Sequence, residues 1–238
     1  MGSNITITEI KDFDLKDGYI IDGFPYEGYA GSIAAESLVR TSNFEFAGFM
    51  DSDVFSPVSI IKDGVPNYPV SIFVNEKLKV AVFLSHFQLS ESISKEIAAA
   101  ILQYAKKHQC KQIISSMKVT GIKIPNGIGA IASTDSARDM IKKIGIDITL
   151  NATMRGIPGM LLVQGRFSNQ DVIVLLFTEK SVKSTDLAHG AKLCLTIGRL
   201  IPKLPCNLKI ITNETAKVEK LIKKTQKDSK HLKNAMYG

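Results

Sequence analysis

Residues 19–31 read Tyr19-Ile20-Ile21-Asp22-Gly23-Phe24-Pro25-Tyr26-Glu27-Gly28-Tyr29-Ala30-Gly31. Tyr19-Ile20-Ile21 is a short apolar run rich in β-formers, which predicts a buried strand. The glycines and Pro25 mark a turn, and from Ala30 a helical pattern opens. Strand, glycine turn and helix in close succession are the start of an α/β unit. The alternation continues along the chain. Glu45–Met50, Gln112–Met117, Ile128–Ala132 and Asp171–Phe177 are further strand candidates. Val70–Val74 and Leu78–Leu84 flank Asn75-Glu76-Lys77, which predicts an antiparallel hairpin.

Between the strands lie helical periodicities. Ser90 or Ser92 can cap a helix running to Lys107, with Ile93, Ile97 and Ile101 on one side. Residues 135–144 place Ala137, Met140, Ile141 and Ile144 on one face, and Gly145 stops that helix. Ser184 can cap a helix with the stripe Leu187, Ala191, Cys194, Leu195 and Gly198, ended by Pro202. Helices interleaved with apolar strands imply a sheet covered on both faces, and the hairpin makes it mixed.

The chain has 238 residues, 45% hydrophobic and 22% charged, enough for one large domain with a substantial core. Residues 1–206 are read as a single α/β domain. Residues 207–228 are read as a lysine-rich helix, with Asn213 as its cap and Val218, Leu221 and Ile222 as a narrow apolar stripe. Residues 229–238 are read as a flexible docking tail. No apolar run approaches the roughly 20 residues of a membrane helix. The polar, alternating start Met1–Thr8 is no secretory signal. Met1–Thr6 fits the loose myristoylation pattern, which is too short to carry weight, and Met-Gly-Ser also reads as a cloning scar. Cys110, Cys194 and Cys206 are odd in number and widely spaced, which predicts reduced thiols in a cytoplasmic protein.

The formal charge is +7. Its placement decides more than its size. Lys217, Lys220, Lys223, Lys224, Lys227, Lys230 and Lys233 face only Glu219 and Asp228, so seven less two leaves +5 on this stretch and a nearly neutral body. The basicity belongs to the C-terminal segment rather than to a binding face of the domain.

The inventory of chemical groups is thin. Backbone N–H groups of the 23–31 loop could hold an anion, with Gly23, Gly28 and Gly31 as the candidate positions. The glycine spacing is not that of a dinucleotide fingerprint, no Lys-Ser/Thr pair follows, and Asp22 and Glu27 repel a phosphate. The loop therefore reads as a tight turn that lets its helix pack closely on the sheet. Gly156-Ile157-Pro158-Gly159 reads as a second structural turn, with Pro158 suited to a first helical turn. His86, His108, His189 and His231 have no companions at metal-ligand spacing. Asp186 and Glu179 form a possible carboxylate pair, though helix capping explains Asp186 equally well. No nucleophile, base and orienting group converge, so neither catalysis, cofactor nor metal is expected.

The chain ends Met236-Tyr237-Gly238. A mobile end of this kind can enter a pocket. Met236 would fill an apolar slot, the Tyr237 ring would stack while its hydroxyl finds a partner, and the Gly238 carboxylate would pair with a lysine. From Ser229 the tether reaches about 30 Å when extended.

Gly23-Phe24-Pro25 with Gly28, Gly31 and Ala34-Ala35, followed by Gly156-Ile157-Pro158-Gly159-Met160-Leu161-Leu162 and then Thr178-Glu179, resembles the proteasome assembly chaperone family in its archaeal form. The blocks span most of residues 18–200. The chain departs from that family at Tyr26 and Glu27, where small or apolar residues are usual, and at Thr185-Asp186, where a Pro-Asp pair is common. These departures tell against a small-molecule role for the first loop. The resemblance implies a three-layer α/β/α sandwich with a mixed, mostly parallel sheet, similar to nucleoside phosphorylases. It implies homo-oligomers that bind proteasome core-particle α-subunits, and a C-terminal hydrophobic-Tyr-any tripeptide, here Met236, Tyr237 and Gly238, that inserts between α-ring subunits. Two competing readings stand beside it. One is a nucleoside phosphorylase-like or hydrolase-like enzyme, with an anion site at the 23–31 loop and Arg40, Arg138 or Arg155 nearby. The other is nonspecific nucleic-acid binding by the tail, which has lysines but no arginine to read base edges.

Overall fold

The computed structural model describes residues 5–208 except 56, 63, 86–87, 123 and 179–185. The expected lysine-rich helix beyond residue 208 and the docking tail lie outside the described residues, as do His86, His231, Glu179 and Ser184.

The central strands are β2 (Tyr19–Gly23), β7 (Val80–Ser85), β8 (Gln112–Lys118) and β11 (Asp171–Phe177). They are almost continuously buried because helices cover both faces, so apolar residues on either side of the pleat have a core to enter. These four run parallel, in the order β7-β2-β8-β11. On one flank β3 (Glu45–Ser52) and β6 (Val70–Asn75) continue the sheet antiparallel, and β1 (Ile5–Glu9) closes that edge. On the other flank β9 (Gly129–Ala132) pairs antiparallel with β11, and the short β10 (Asp147–Ile148) forms the edge. The sheet is mixed, as the hairpin required. Its turn is held by the Leu78 N–H donating to Asn75 Oδ1 at 3.0 Å, with Lys79 in the left-handed region.

One core lies on each face. Helices α2 (Ser94–Lys107) and α4 (Gly156–Ser168) pack Ile97, Ile101, Ile157 and Leu161 against Ile113, Phe83 and Val174. Helices α1 (Ala30–Thr41), α3 (Asp135–Lys143) and α5 (Asp186–Leu200) pack Ile33, Leu38, Ile141 and Leu193 against Ile21, Ile114 and Ile173. Successive residues of β8, Ile113 and Ile114, enter opposite cores, as the period of two demands.

The sequence reading of the regular elements holds closely for β11, α2 and α3. A 3₁₀ turn, Glu91–Ile93, capped by Ser90, precedes α2, and Thr134 caps α3. Gly156-Ile157-Pro158 opens the thirteen-residue helix α4 rather than an isolated turn. Periodicity did not single out β1, β10, or the hairpin of β4 (Ile60–Lys62) and β5 (Val65–Asn67). β1 and β10 are edge strands paired on one side only, and β4 and β5 pair with each other in a separate two-stranded sheet.

Two expectations are corrected. Leu195 is 46% exposed, because α5 turns the face carrying Gly190, Leu193, Cys194 and Ile197 inward, and Leu195 lies one residue's rotation beyond it. Cys194 and Cys206 are not free thiols but a disulfide, with Cα atoms 5.7 Å apart. The spacing read as unpaired becomes a pair because the chain reverses direction after α5. Only Cys110 is free, and it is buried.

Candidate functional site

In parallel sheets ligands gather beyond the carboxyl ends of the strands, where successive connections leave to opposite sides. Here the chain leaves β2 through α1 and reaches β7 on one side, then crosses through α2 to β8 on the other side of β2. The switch point is therefore the end of β2, and the Gly23–Gly31 loop stands on it.

Asp22 occupies the last turn of pleat in β2 and is 2% exposed. Its carboxylate accepts three hydrogen bonds, from the Phe24 N–H at 3.1 Å, the Tyr26 hydroxyl at 2.5 Å and the Ser115 hydroxyl at 2.6 Å. Burial pushes its pKa up to about 6, against the opposing pull of Ser115, Tyr26 and Phe24. The same burial, with the Asp22 charge beside it, holds the Tyr26 phenol well above its usual range. The network ties the loop to β8 and seals the carboxylate from solvent. Spacing along the chain does not reveal it, since sequence presents Asp22 only as a repeller of phosphate. The available signal was a lone acidic residue ending an apolar strand.

A raised native pKa sets the sign of a pH effect. Between about pH 4 and 6 the unfolded chain has already released the Asp22 proton while the folded chain keeps it, so stability falls as pH rises through that window. Above it the cost is constant, on the order of 2–3 kcal/mol. Asp22→Asn is expected to flatten this slope, read from urea midpoints at several pH values. A variant with the parent's slope would show that Asp22 titrates normally.

Gly28 has φ 114°, a conformation open chiefly to glycine, and its N–H bonds back to the Tyr26 carbonyl at 2.9 Å. A carboxylate sits at the head of α1: Asp186 Oδ2 accepts the Tyr29 N–H at 3.1 Å, and Asp186 Oδ1 lies 2.8 Å from where a Gly28 side chain would begin. The backbone donors of this helix start thus face the chain's own anion, supplied by the first turn of α5. Asp186 stands in the first turn of α5, as a first-turn charge would, and its carboxylate also serves the head of α1 across 157 residues. Gly23 packs against Ala35 of α1 and the Phe83 carbonyl, and Gly31 lies against the Ser116 hydroxyl. These three glycines are brought together by packing contacts.

The candidate arginines are each met by carboxylates. Arg40 pairs with Glu36 at 2.6 Å and Arg138 with Asp135. Arg155, at the start of α4, pairs with Glu27 of the loop and approaches Glu91 at 3.9 Å. Below this exposed pair is a cavity of about 30 Å³ lined by Phe24, Tyr26, Met117 and Ile157, room for one water. Beside it, Glu27, Lys118, Thr120 and Arg155 border an open depression of about 520 Å³. His108 Nε2 contacts Glu9 Oε1 at 2.5 Å, tying α2 to the edge strand, and His189 is buried against the Phe177 ring. Among the described residues no group of three or more His, Cys, Asp or Glu side chains could hold a metal, and no helix is long and apolar enough to cross a membrane. Met236, Tyr237 and Gly238 lie outside the described residues.

The chain is 22% identical, over 98% of its length and 94% of the relative's, to the uncharacterized protein MJ0106 of Methanocaldococcus jannaschii. Its fold is similar to that of Pyrococcus furiosus PbaA, described as an archaeal homolog of proteasome-assembly chaperone. The TM-score is 0.77 at 20% identity, over 97% of this chain and 99% of that one. It is also similar to P. furiosus PbaB, described as an archaeal proteasome activator, with a TM-score of 0.70 at 18% identity, over 93% and 98% of the two chains. Residues 20–226, which carry the switch-point loop, both cores and the root of the C-terminal segment, match the model of the PAC2 family, and the chain belongs to that family.

Proposed function

We propose that this protein is a non-catalytic binder of the proteasome, an assembly chaperone or activator, which docks Met236-Tyr237-Gly238 on the α-ring of the core particle. Membership of the PAC2 family, across 20–226, carries the reading, and the likeness to a chaperone homolog and a proteasome activator gives it direction. The body supports a binding rather than a chemical role. The Asp22 carboxylate at the switch point is spent on three internal donors, and the head of α1 already holds Asp186.

The chain acts as a homo-oligomer. Exposed apolar side chains support this: on α4, Val163 is half exposed and Phe167 is 84% exposed, a large aromatic surface to leave in water. An oligomer presents several tails to one ring, and linked weak contacts bind far more tightly than one alone through effective concentration.

The reading is tested by capture. The tagged full-length chain is incubated with purified core particles and, separately, with isolated α-subunits. Retention of either is the expected result. Retention of neither, by a chain that is folded by circular dichroism, would sink it.

A further inference from the structure

The chain after α5 folds straight back onto that helix. Ile201 is fully buried, Leu204 is buried, and the Leu204 N–H donates to the Ile201 carbonyl at 3.3 Å. Gly198 makes room, since a side-chain carbon there would lie 3.1 Å from the Leu204 carbonyl oxygen. Cys206 then reaches Cys194 in a disulfide that spans 12 residues of sequence. Cys194 is fully buried in the core under α5, whereas Cys206 is only partly covered. The reversal therefore has two fastenings of different chemistry. The apolar plug of Ile201 and Leu204 is indifferent to redox conditions, and the S–S bond is not. Cys206 stands two residues before Leu208, the last described residue, where the lysine-rich segment begins.

We infer that Cys194 and Cys206 form a redox-responsive clamp on the root of the C-terminal segment. Oxidised, the clamp fixes the point at which residues 207 onward leave the body. Reduced, it frees the chain from Pro205, while Ile201 and Leu204 keep the first half of the reversal in place.

The exchange is balanced with a dithiol reductant. One thiolate of the reductant attacks Sγ of Cys206, the more accessible sulfur, and the S–S bond breaks. Cys194 leaves as a thiolate and takes a proton. The second thiol of the reductant displaces Cys206, which is likewise protonated, and the reductant departs as a disulfide. Two electrons and two protons pass to the protein. A small-molecule disulfide such as oxidised glutathione reverses the step. Cys110 does not compete for either partner. Its thiol points at the Leu15 carbonyl at 3.7 Å, and burial pushes its pKa up to about 12, which keeps it in the unreactive protonated form.

The test uses the full-length protein with and without dithiothreitol. Alkylation under denaturing conditions is expected to count one thiol before reduction, or after treatment with oxidised glutathione, and three after reduction. Reduction is expected to speed hydrogen exchange at the amides of Cys206–Leu208 by about tenfold or more, and to lower Tm by about 5–10 °C. Cys206→Ser, placed at the partly covered end so that the core is undisturbed, is expected to match the reduced protein and ignore dithiothreitol. Three alkylated thiols even after oxidised glutathione would overturn the clamp. So would a disulfide that forms but leaves both exchange and Tm unchanged on reduction. Neither readout involves the proteasome, so failure of docking and failure of the clamp are separable.

Discussion

Removing Tyr237 and Gly238 is expected to lower retention of the proteasome core particle by at least about 30-fold, and by far more where several tails engage one ring. The truncation takes away the aromatic ring, its hydroxyl, and the placement of the terminal carboxylate relative to Met236. Loss of a buried aromatic anchor costs about 2 kcal/mol or more at an interface. In an oligomer the loss recurs at every tail, and the gain from effective concentration disappears with it. The seven lysines between 217 and 233 stay in the truncated chain, so residual salt-sensitive attraction should remain. Surface plasmon resonance on immobilised core particles reads both effects. Equal affinity of the full and truncated chains would remove the tripeptide as the docking element while leaving a role for the body open to the capture experiment. Tyr237→Phe separates ring from hydroxyl: a small loss assigns the affinity to stacking, a large one to the hydroxyl's hydrogen bond.

The second large effect falls on the fold. Gly23→Val is expected to destabilise the protein by about 3 kcal/mol, a Tm drop of roughly 6–12 °C. A side-chain carbon at position 23 would start 2.5 Å from Ala35 Cβ and 3.0 Å from the Phe83 carbonyl oxygen. Neither neighbour is the end of a flexible chain. Ala35 is fully buried midway along α1, and Phe83 belongs to β7, which is paired with β2 along its length. To admit the new atoms α1 must lift from the sheet, and with it the Tyr29 N–H from Asp186. Thermal denaturation checks the value. A variant as stable as the parent would mean that the helix moves away at little cost.

The glycine loop shows where sequence reasoning succeeds. Tyr19-Ile20-Ile21 is legible as a strand because a parallel strand buried on both faces needs an unbroken apolar run. Glycines in a strand-to-helix turn predict close packing of helix on sheet, and the contacts of Gly23 with Ala35 and of Gly31 with Ser116 are of that kind. The second glycine block does not announce the helix it opens, since a helix as apolar as α4 has weak periodicity and its exposed Phe167 blurs what remains.

Sequence alone determined the alternation of buried strands and amphipathic helices, the hairpin, the confinement of charge to the C-terminal segment and the blocks that resemble a family. Each is written in neighbouring residues, because pleat, helical turn and charge density are local properties of a chain. The tertiary structure alone decided what the polar groups do. Asp22 meets Ser115 across 93 residues, Asp186 meets Tyr29 across 157, and Cys194 meets Cys206 only because the chain reverses at Ile201–Leu204. A buried carboxylate or thiol takes whichever partner the packing of apolar surfaces delivers to it, and that delivery depends on strand order and on where the chain reverses rather than on spacing alone.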